Sequence, residues 1–253
     1  MKHLENALVA AFVIVAIVVR VYPYLAPSPP DAFGCTTGTW QLVDNRFVSI
    51  GPDESDRKVL RWRTPDGQTG RLIQDGETWT STIGWTNRPD TITVKFGNCE
   101  DGLTSFNGLY ATRVEFDITD TTFLASDGTM LSGRLVMPKM DGWPDSTKIT
   151  VIVDVPGDEK RSAKRYNALQ QILPSLYVGV FVYDRRGTGE SKGSYSRDLY
   201  WRTQDAVAAI DVARSLAGDR LKGIGVHGTG TATWVVPEAT NQSRSHFFAV
   251  SNG

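Results

Sequence analysis

Apolar and polar positions along the chain change their rhythm twice. Ala7 to Val19 read "ALVAAFVIVAIVV", an unbroken apolar run that Arg20 interrupts and "VYPYLA" continues to Ala26. Such a run is typical of a signal-peptide core and short for a full membrane span. No A-x-A cleavage pattern follows it, and Tyr22 and Tyr24 suit a headgroup interface. Residues 1–26 are therefore expected to form an uncleaved signal-anchor helix, with a cleaved signal peptide as the alternative. Either way the remainder is placed outside the cytoplasm, held at a membrane or else secreted. Residues 27–33 carry a proline-rich spacer, which favours an extended linker.

From Gly34 to Ala111 the period is two. Short alternating segments ("TWQLV", "RFVSIG", "VLRWR", "GRLIQ", "TITVKFG") are separated by turn chemistry such as "PDGQTG", "QDGE" and "NRPD". This predicts a small all-β domain over 34–111. Its tryptophans Trp40, Trp62, Trp79 and Trp85 fall at strand spacing and read as core in preference to a ligand groove.

The third stretch, 112–253, alternates strand and helix. "TTFLASDGTMLSGRLVMP" is a hairpin turning at Asp127-Gly128. Then come "ITVIVDV", a helix over Ala163–Leu173 broken by Pro174, and "VGVFVYD". A helix over Leu199–Gly218, the strand "KGIGV", a glycine-rich turn, a helix to about Ala239 and "HFFAVSNG" complete it. Continuous apolar strands joined by helices predict an α/β fold with a mostly parallel sheet and helices on both faces.

Charge adds an exclusion: 27 basic against 28 acidic residues leave no nucleic-acid footprint. Cys35 and Cys99 bracket the β-rich stretch, so an oxidising compartment permits one disulfide; two buried free thiols are the alternative. Two cysteines with no histidine nearby make no metal site. "GTGTAT", Gly228 to Thr233, lacks the Lys-Ser/Thr ending of a P-loop and the third glycine of a dinucleotide fingerprint, so no cofactor is expected.

Three stretches together resemble the α/β-hydrolase superfamily, in particular secreted hydrolases of the serine aminopeptidase-like and dienelactone-hydrolase-like kind. "SDGTMLSGRLVMP" resembles that family's first strands. "VYDRRGTGESKG", with Asp184, Arg185, Gly187 and Gly189, resembles its loop after the fourth sheet strand. Gly228-Thr229-Gly230-Thr231-Ala232 stands where the family has its G-x-S-x-G nucleophile elbow. The likeness covers 112–253 and implies acyl-group hydrolysis, with an acyl-type small molecule as the ancestral ligand. Asp184 is expected to organise its own loop, and Arg185, Arg186 and Glu190 to form a surface charge cluster.

The departures from the family pattern concern chemistry. Gly230 has no oxygen where the nucleophile would sit, and the flanking Thr229 and Thr231 are expected to point away. Ala232 replaces a glycine, and its methyl is expected to loosen the helix–strand fit. Pro156 has no N–H to offer an oxyanion, which leaves the backbone N–H groups of Gly157 and Thr231 as a residual hole. His227 is expected to pack at its strand end, and His246 precedes the family's position for the base. The chain as given ends at Gly253, ahead of the family's acid and histidine, so the resemblance implies an incomplete copy with no assembled triad. Three readings follow: a hydrolase-lineage chain without turnover, an anchored pseudo-hydrolase acting as an interaction module, or a truncated reading frame. The oligomeric state has no signature in the pattern.

Fractionation of the expressed chain checks the anchor. Full-length protein is expected in a carbonate-resistant membrane pool; recovery in the cytosol alone would contradict it.

Overall fold

The computed structural model describes residues 34–251 apart from 54, 55, 57, 99–101, 142, 145, 146, 158–162 and 164–166. The anchor and linker expected over 1–33 lie outside the described residues, as does Cys99. Among the described residues no helix is long and apolar enough to cross a membrane.

Eight strands come first: β1 (Gly38–Leu42), β2 (Phe47–Pro52), β3 (Leu60–Arg63), β4 (Thr69–Asp75), β5 (Thr78–Thr82), β6 (Pro89–Phe96), β7 (Leu103–Phe106) and β8 (Leu109–Val114). They form a closed barrel in sequence order, each antiparallel to the next, and β8 returns to β1 with Thr39 opposite Val114. Closure pairs every strand on both sides and leaves no open edge. Alternation sends Trp40, Leu42, Val48, Ile50, Leu60, Trp62, Leu72 and Val94 inward, joined by Leu103 and Phe106. Trp62 buries its ring and still satisfies its N–H, donating to Ser81 Oγ at 2.7 Å. Trp85 is different: it is 67% exposed and lies over the Arg61 guanidinium, 3.8 Å from carbon to ring centroid.

Six further strands make a second sheet: β9 (Phe116–Leu124), β10 (Met130–Pro138), β11 (Ile149–Val155), β12 (Gly179–Tyr183), β13 (Leu221–Thr229) and β14 (Phe247–Ser251). Their order is β14-β13-β11-β12-β10-β9. This corrects the expected α/β architecture with its mostly parallel sheet. The sheet is mixed, because the β9–β10 hairpin adds two antiparallel pairings, β9/β10 and β10/β12, beside the three parallel ones. With the barrel included, strands dominate the described residues.

Among the described residues three α-helices serve the parallel strands: α1 (Ala168–Ser175), α2 (Leu199–Ala217) and α3 (Val236–Ser243). Asn167 caps α1 by accepting from Leu169 N, and Asp198 caps α2 by accepting from Tyr200 N. Pro174 does not break α1 as expected. It sits in the last turn, where its fixed φ is helical and its missing N–H forfeits a single bond back to the preceding turn. Ala206, Ala209, Ile210 and Ala213 of α2 and Val235, Val236 and Ala239 at α3 share one buried cluster with Val151, Val153, Ile224 and Val226. Leu169 and Leu173 of α1 pack instead on Val180 and Val182. Thr39 of the barrel donates to the Gln171 carbonyl at 3.0 Å, so α1 also touches β1. Cys35 is disulfide-bonded.

The expected surface cluster of Arg185, Arg186 and Glu190 is also corrected, since both arginines are buried. Arg186 donates through Nε and Nη2 to the two oxygens of Asp205 on α2, at 2.8 and 2.6 Å, and through Nη1 to Asp127 at 2.8 Å. One guanidinium thereby ties the β9–β10 turn to α2 in bidentate geometry. Pairing with Asp205 raises the Arg186 pKa, while burial pushes the Asp205 carboxyl up against the pull of Arg186. Asp127, held by Arg186, is lowered from 3.8 to about 2.

A carboxyl depressed in the folded state stabilises above its ordinary pKa, and that contribution disappears as pH falls through the folded value. Asp127→Asn is thus expected to lower the urea midpoint at neutral pH, with the gap to the parent closing as pH falls from about 4 to about 2. A gap independent of pH would contradict the ionic contact.

Candidate active site: an elbow without an oxygen

Parallel pairing of β11 with β13 decides what meets at the carboxyl edge of the sheet. Asp154 lies opposite His227 and Val155 opposite Gly228. The two strands then release the Pro156–Gly157 and Gly230–Thr231 segments side by side. A Cβ on Gly157 would stand 3.1 Å from the Thr229 carbonyl oxygen.

β13 remains extended to Thr229 (φ −120°, ψ 158°), and the chain reverses at Gly230 with φ +56°. That is left-handed backbone, which glycine adopts at little cost. A 3₁₀ turn over Gly230–Trp234 follows, and α3 starts only at Val236, so the stretch expected to be one helix begins as a tighter turn. Among the described residues, nothing beyond its own chain neighbours lies within 4 Å of a Cβ built on Gly230. The apex therefore points into open space, as a nucleophile would, but bears no oxygen.

The expected loosening at Ala232 is not found. Ala232 is fully buried, and it is Gly228 that provides the close approach. A Cβ on Gly228 would come within 2.6 Å of Val236 Cγ2 and 2.9 Å of Ala232 Cβ. The methyl on the helix side is thus accommodated by a glycine on the strand side.

Buried arginines hold the loops. Arg202 of α2 donates through Nη1 to Thr231 Oγ1 at 2.9 Å and through Nη2 to the Pro156 carbonyl at 3.0 Å. Arg185 donates to the Gly157 carbonyl at 2.6 Å and the Ser196 carbonyl at 2.5 Å, and lies over the Tyr195 ring. The loop after β12 is wound about Asp184, whose carboxylate accepts from the backbone N–H groups of Ala163 and Glu190. Gly189, at φ +54°, passes so close that a Cβ would stand 2.1 Å from Asp184 Oδ2; at Gly187, φ +69°, a Cβ would stand 2.4 Å from the Tyr195 backbone nitrogen. None of these polar groups supplies a base to the apex. Thr231 Oγ1 is tied to a cation, and Thr229 caps nothing with its side chain.

One constellation escaped the sequence reading. His227 Nδ1 lies 2.7 Å from Asp154 Oδ1, and its Nε2 lies 3.4 Å from Ser251 Oγ on β14. With Nδ1–H donated to the carboxylate, Nε2 carries the lone pair, which is the tautomer a general base needs. Three neighbouring strand ends thus align a carboxylate, an imidazole and a hydroxyl, though the outer contact is long for an O–H···N bond. The signal available was the register: strand-terminal Asp154 and His227 on adjacent parallel strands. His246 takes no part, since its Nδ1 accepts from Ile224 N at 3.2 Å.

No family model matches the chain. The uncharacterized protein YfhR of Salmonella typhi and that of Salmonella typhimurium are each 36% identical to it over 96 residues. That alignment covers 38% of this chain and 31% of the relative, so the chain spans about a third of the length of the curated relatives it matches. Solved structures similar to it include esterases and α/β hydrolases. The esterase Pf2001 of Pyrococcus furiosus is 20% identical with TM-score 0.42, over 51% of this chain and 48% of the esterase. XC6422 of Xanthomonas campestris, an a/b serine hydrolase without lid, is 18% identical with TM-score 0.40, over 53% and 60%. The alpha/beta hydrolase GrgF of Penicillium sp. sh18 is 18% identical with TM-score 0.43, over 54% and 46%.

Gly228→Ala is expected to cost about 1–3 kcal/mol in chemical denaturation, the usual range for overpacking a tight contact. Adding Ala232→Gly is expected to return part of that loss, because one of the two clashes is with the Ala232 methyl. Strict additivity of the two changes would contradict the contact.

Proposed function

We propose that the chain is of α/β-hydrolase lineage and that its elbow performs no acyl-transfer turnover. The observation that carries this reading is Gly230: a left-handed apex between strand and helix, open to solvent, with no side-chain oxygen. Acyl transfer at an elbow needs an oxygen, a base to take its proton and donors for the oxyanion. The backbone N–H groups of Gly157 and Thr231 are the surviving candidates for the last role. In this reading the elbow loops still receive an acyl or carboxyl group, and the protein works as an interaction module outside the cytoplasm, held by residues 1–26. A disulfide between Cys35 and Cys99 belongs to the same reading, since it requires an oxidising compartment.

The test is hydrolysis of p-nitrophenyl esters by the purified full chain, with Gly230→Ser, Thr229→Val, Thr231→Val, His227→Ala and Ser251→Ala beside it. The parent is expected to match the buffer control. Gly230→Ser is expected to recover little, because triad members act as a unit and one restored member rescues poorly. Parental turnover lost in either threonine variant would mean that a threonine has replaced the nucleophile. Parental turnover lost in both His227→Ala and Ser251→Ala would mean that the Asp154–His227–Ser251 set performs chemistry. Either result overturns the reading.

A further inference from the structure

The outer face of the barrel carries a group of arginines that the elbow does not explain. On β3, Leu60 and Trp62 enter the barrel core, so Arg61 and Arg63 project from the opposite face. Arg71 of β4 lies directly beside Arg61 in the ladder. Asp53 holds two members of this group. Asp53 Oδ2 accepts from Arg61 Nε at 2.7 Å and from Arg71 Nε at 3.2 Å. Arg61 is further secured by donating to the Gly84 carbonyl at 2.9 Å and to Thr69 Oγ1 at 3.3 Å. Burial lowers the Arg61 pKa despite the Asp53 contact, and the charges of Arg63 and Arg71 add to that lowering.

Arg63 is the residue left over. Both Nη1 and Nη2 are buried with no hydrogen-bond partner among the described residues, and the residue is only 9% exposed. A buried guanidinium with two unsatisfied nitrogens beside another cation is costly, because desolvation and like-charge repulsion are both uncompensated. Its ladder neighbours are hydroxyl residues: Ser49 of β2 on one side, Thr69 of β4 on the other, and Thr39 of β1 beyond Ser49. Ser49 and Thr39 are buried as well. Polar residues thus form a row across four strands on the face that Thr39 shares with α1, with the unpartnered guanidinium inside it.

We propose that Arg63 anchors a binding site for an oxyanion, in which Nη1 and Nη2 donate to two oxygens of one sulfate- or phosphate-like group. Two parallel N–H donors on one guanidinium match two oxygens of a single anion, and such charge-assisted pairs are the strongest hydrogen bonds proteins make. The group supplies partners to the two Arg63 nitrogens that have none among the described residues. Because the Nη atoms are covered while the residue retains surface exposure, the anion enters as the long side chain swings outward. The site is separate from the Gly230 elbow and does not depend on its chemistry.

Thermal unfolding of the full chain, with inorganic phosphate varied against chloride at constant ionic strength, is the test. A ligand that binds only the folded state raises Tm progressively with its concentration. The parent is expected to show such a rise, and Arg63→Met to show none while unfolding at a higher temperature than the parent in chloride, since an unpaired buried charge has been removed. Arg63→Lys retains the charge but not the fork, and is expected to need about tenfold more phosphate for the same rise. It keeps the test decisive if the methionine variant does not fold. An equal phosphate response in the parent and in Arg63→Lys, or none in the parent, would overturn the proposal. The first outcome would show a general salt effect and the second a guanidinium satisfied by water alone.

Discussion

Two loop backbones leave adjacent strands at the carboxyl edge of the sheet, and one buried guanidinium joins them. Arg202 reaches from α2 to the Pro156 carbonyl on one side and to Thr231 on the other. Without such a donor, backbone carbonyls at a crowded strand end stay unsatisfied, at a cost of about 1–3 kcal/mol each. Arg185 performs the same service for Gly157. The elbow is therefore a product of parallel register and arginine donors, both independent of the side chain at position 230.

That independence separates shape from chemistry. A strand-to-helix elbow is written in backbone terms: extended Thr229, left-handed Gly230, a 3₁₀ turn and then α3. A serine at the apex would accept strain for the sake of its oxygen, whereas glycine occupies the same conformation with almost none. The nearby Asp154–His227 pair needs no elbow at all, since it follows from two residues standing opposite each other in the β11–β13 ladder.

Local signals were legible in the sequence and long-range ones were not. Asp127-Gly128 announced its hairpin, Gly218 marked the end of α2, and alternating apolar residues marked the barrel strands. Alternation says which side of a strand is buried but not whether β8 returns to β1, so closure into a barrel was invisible. The mixed character of the second sheet was hidden for a similar reason. A hairpin followed by strand–helix units does not say on which edge the hairpin docks, and β10 pairing with β12 sets the balance. Charge was misread at Arg185 and Arg186, because a run of charged residues looks solvated until its partners are known. Those partners, Asp205, Gly157 and Ser196, are distant or backbone groups. At the elbow the apex glycine was readable, while the compensation of Ala232 by Gly228 needed the helix–strand distance.

The central claim is that backbone and buried arginines maintain the elbow while its apex has no oxygen. A crystal structure of the chain at a resolution that fixes carbonyl orientations tests it most directly. The account predicts Gly230 in the left-handed region near φ +56°, with the Arg202 guanidinium bridging the Pro156 carbonyl and Thr231. Gly230 in ordinary helical backbone, with Arg202 turned to solvent and the two loops apart, would contradict it.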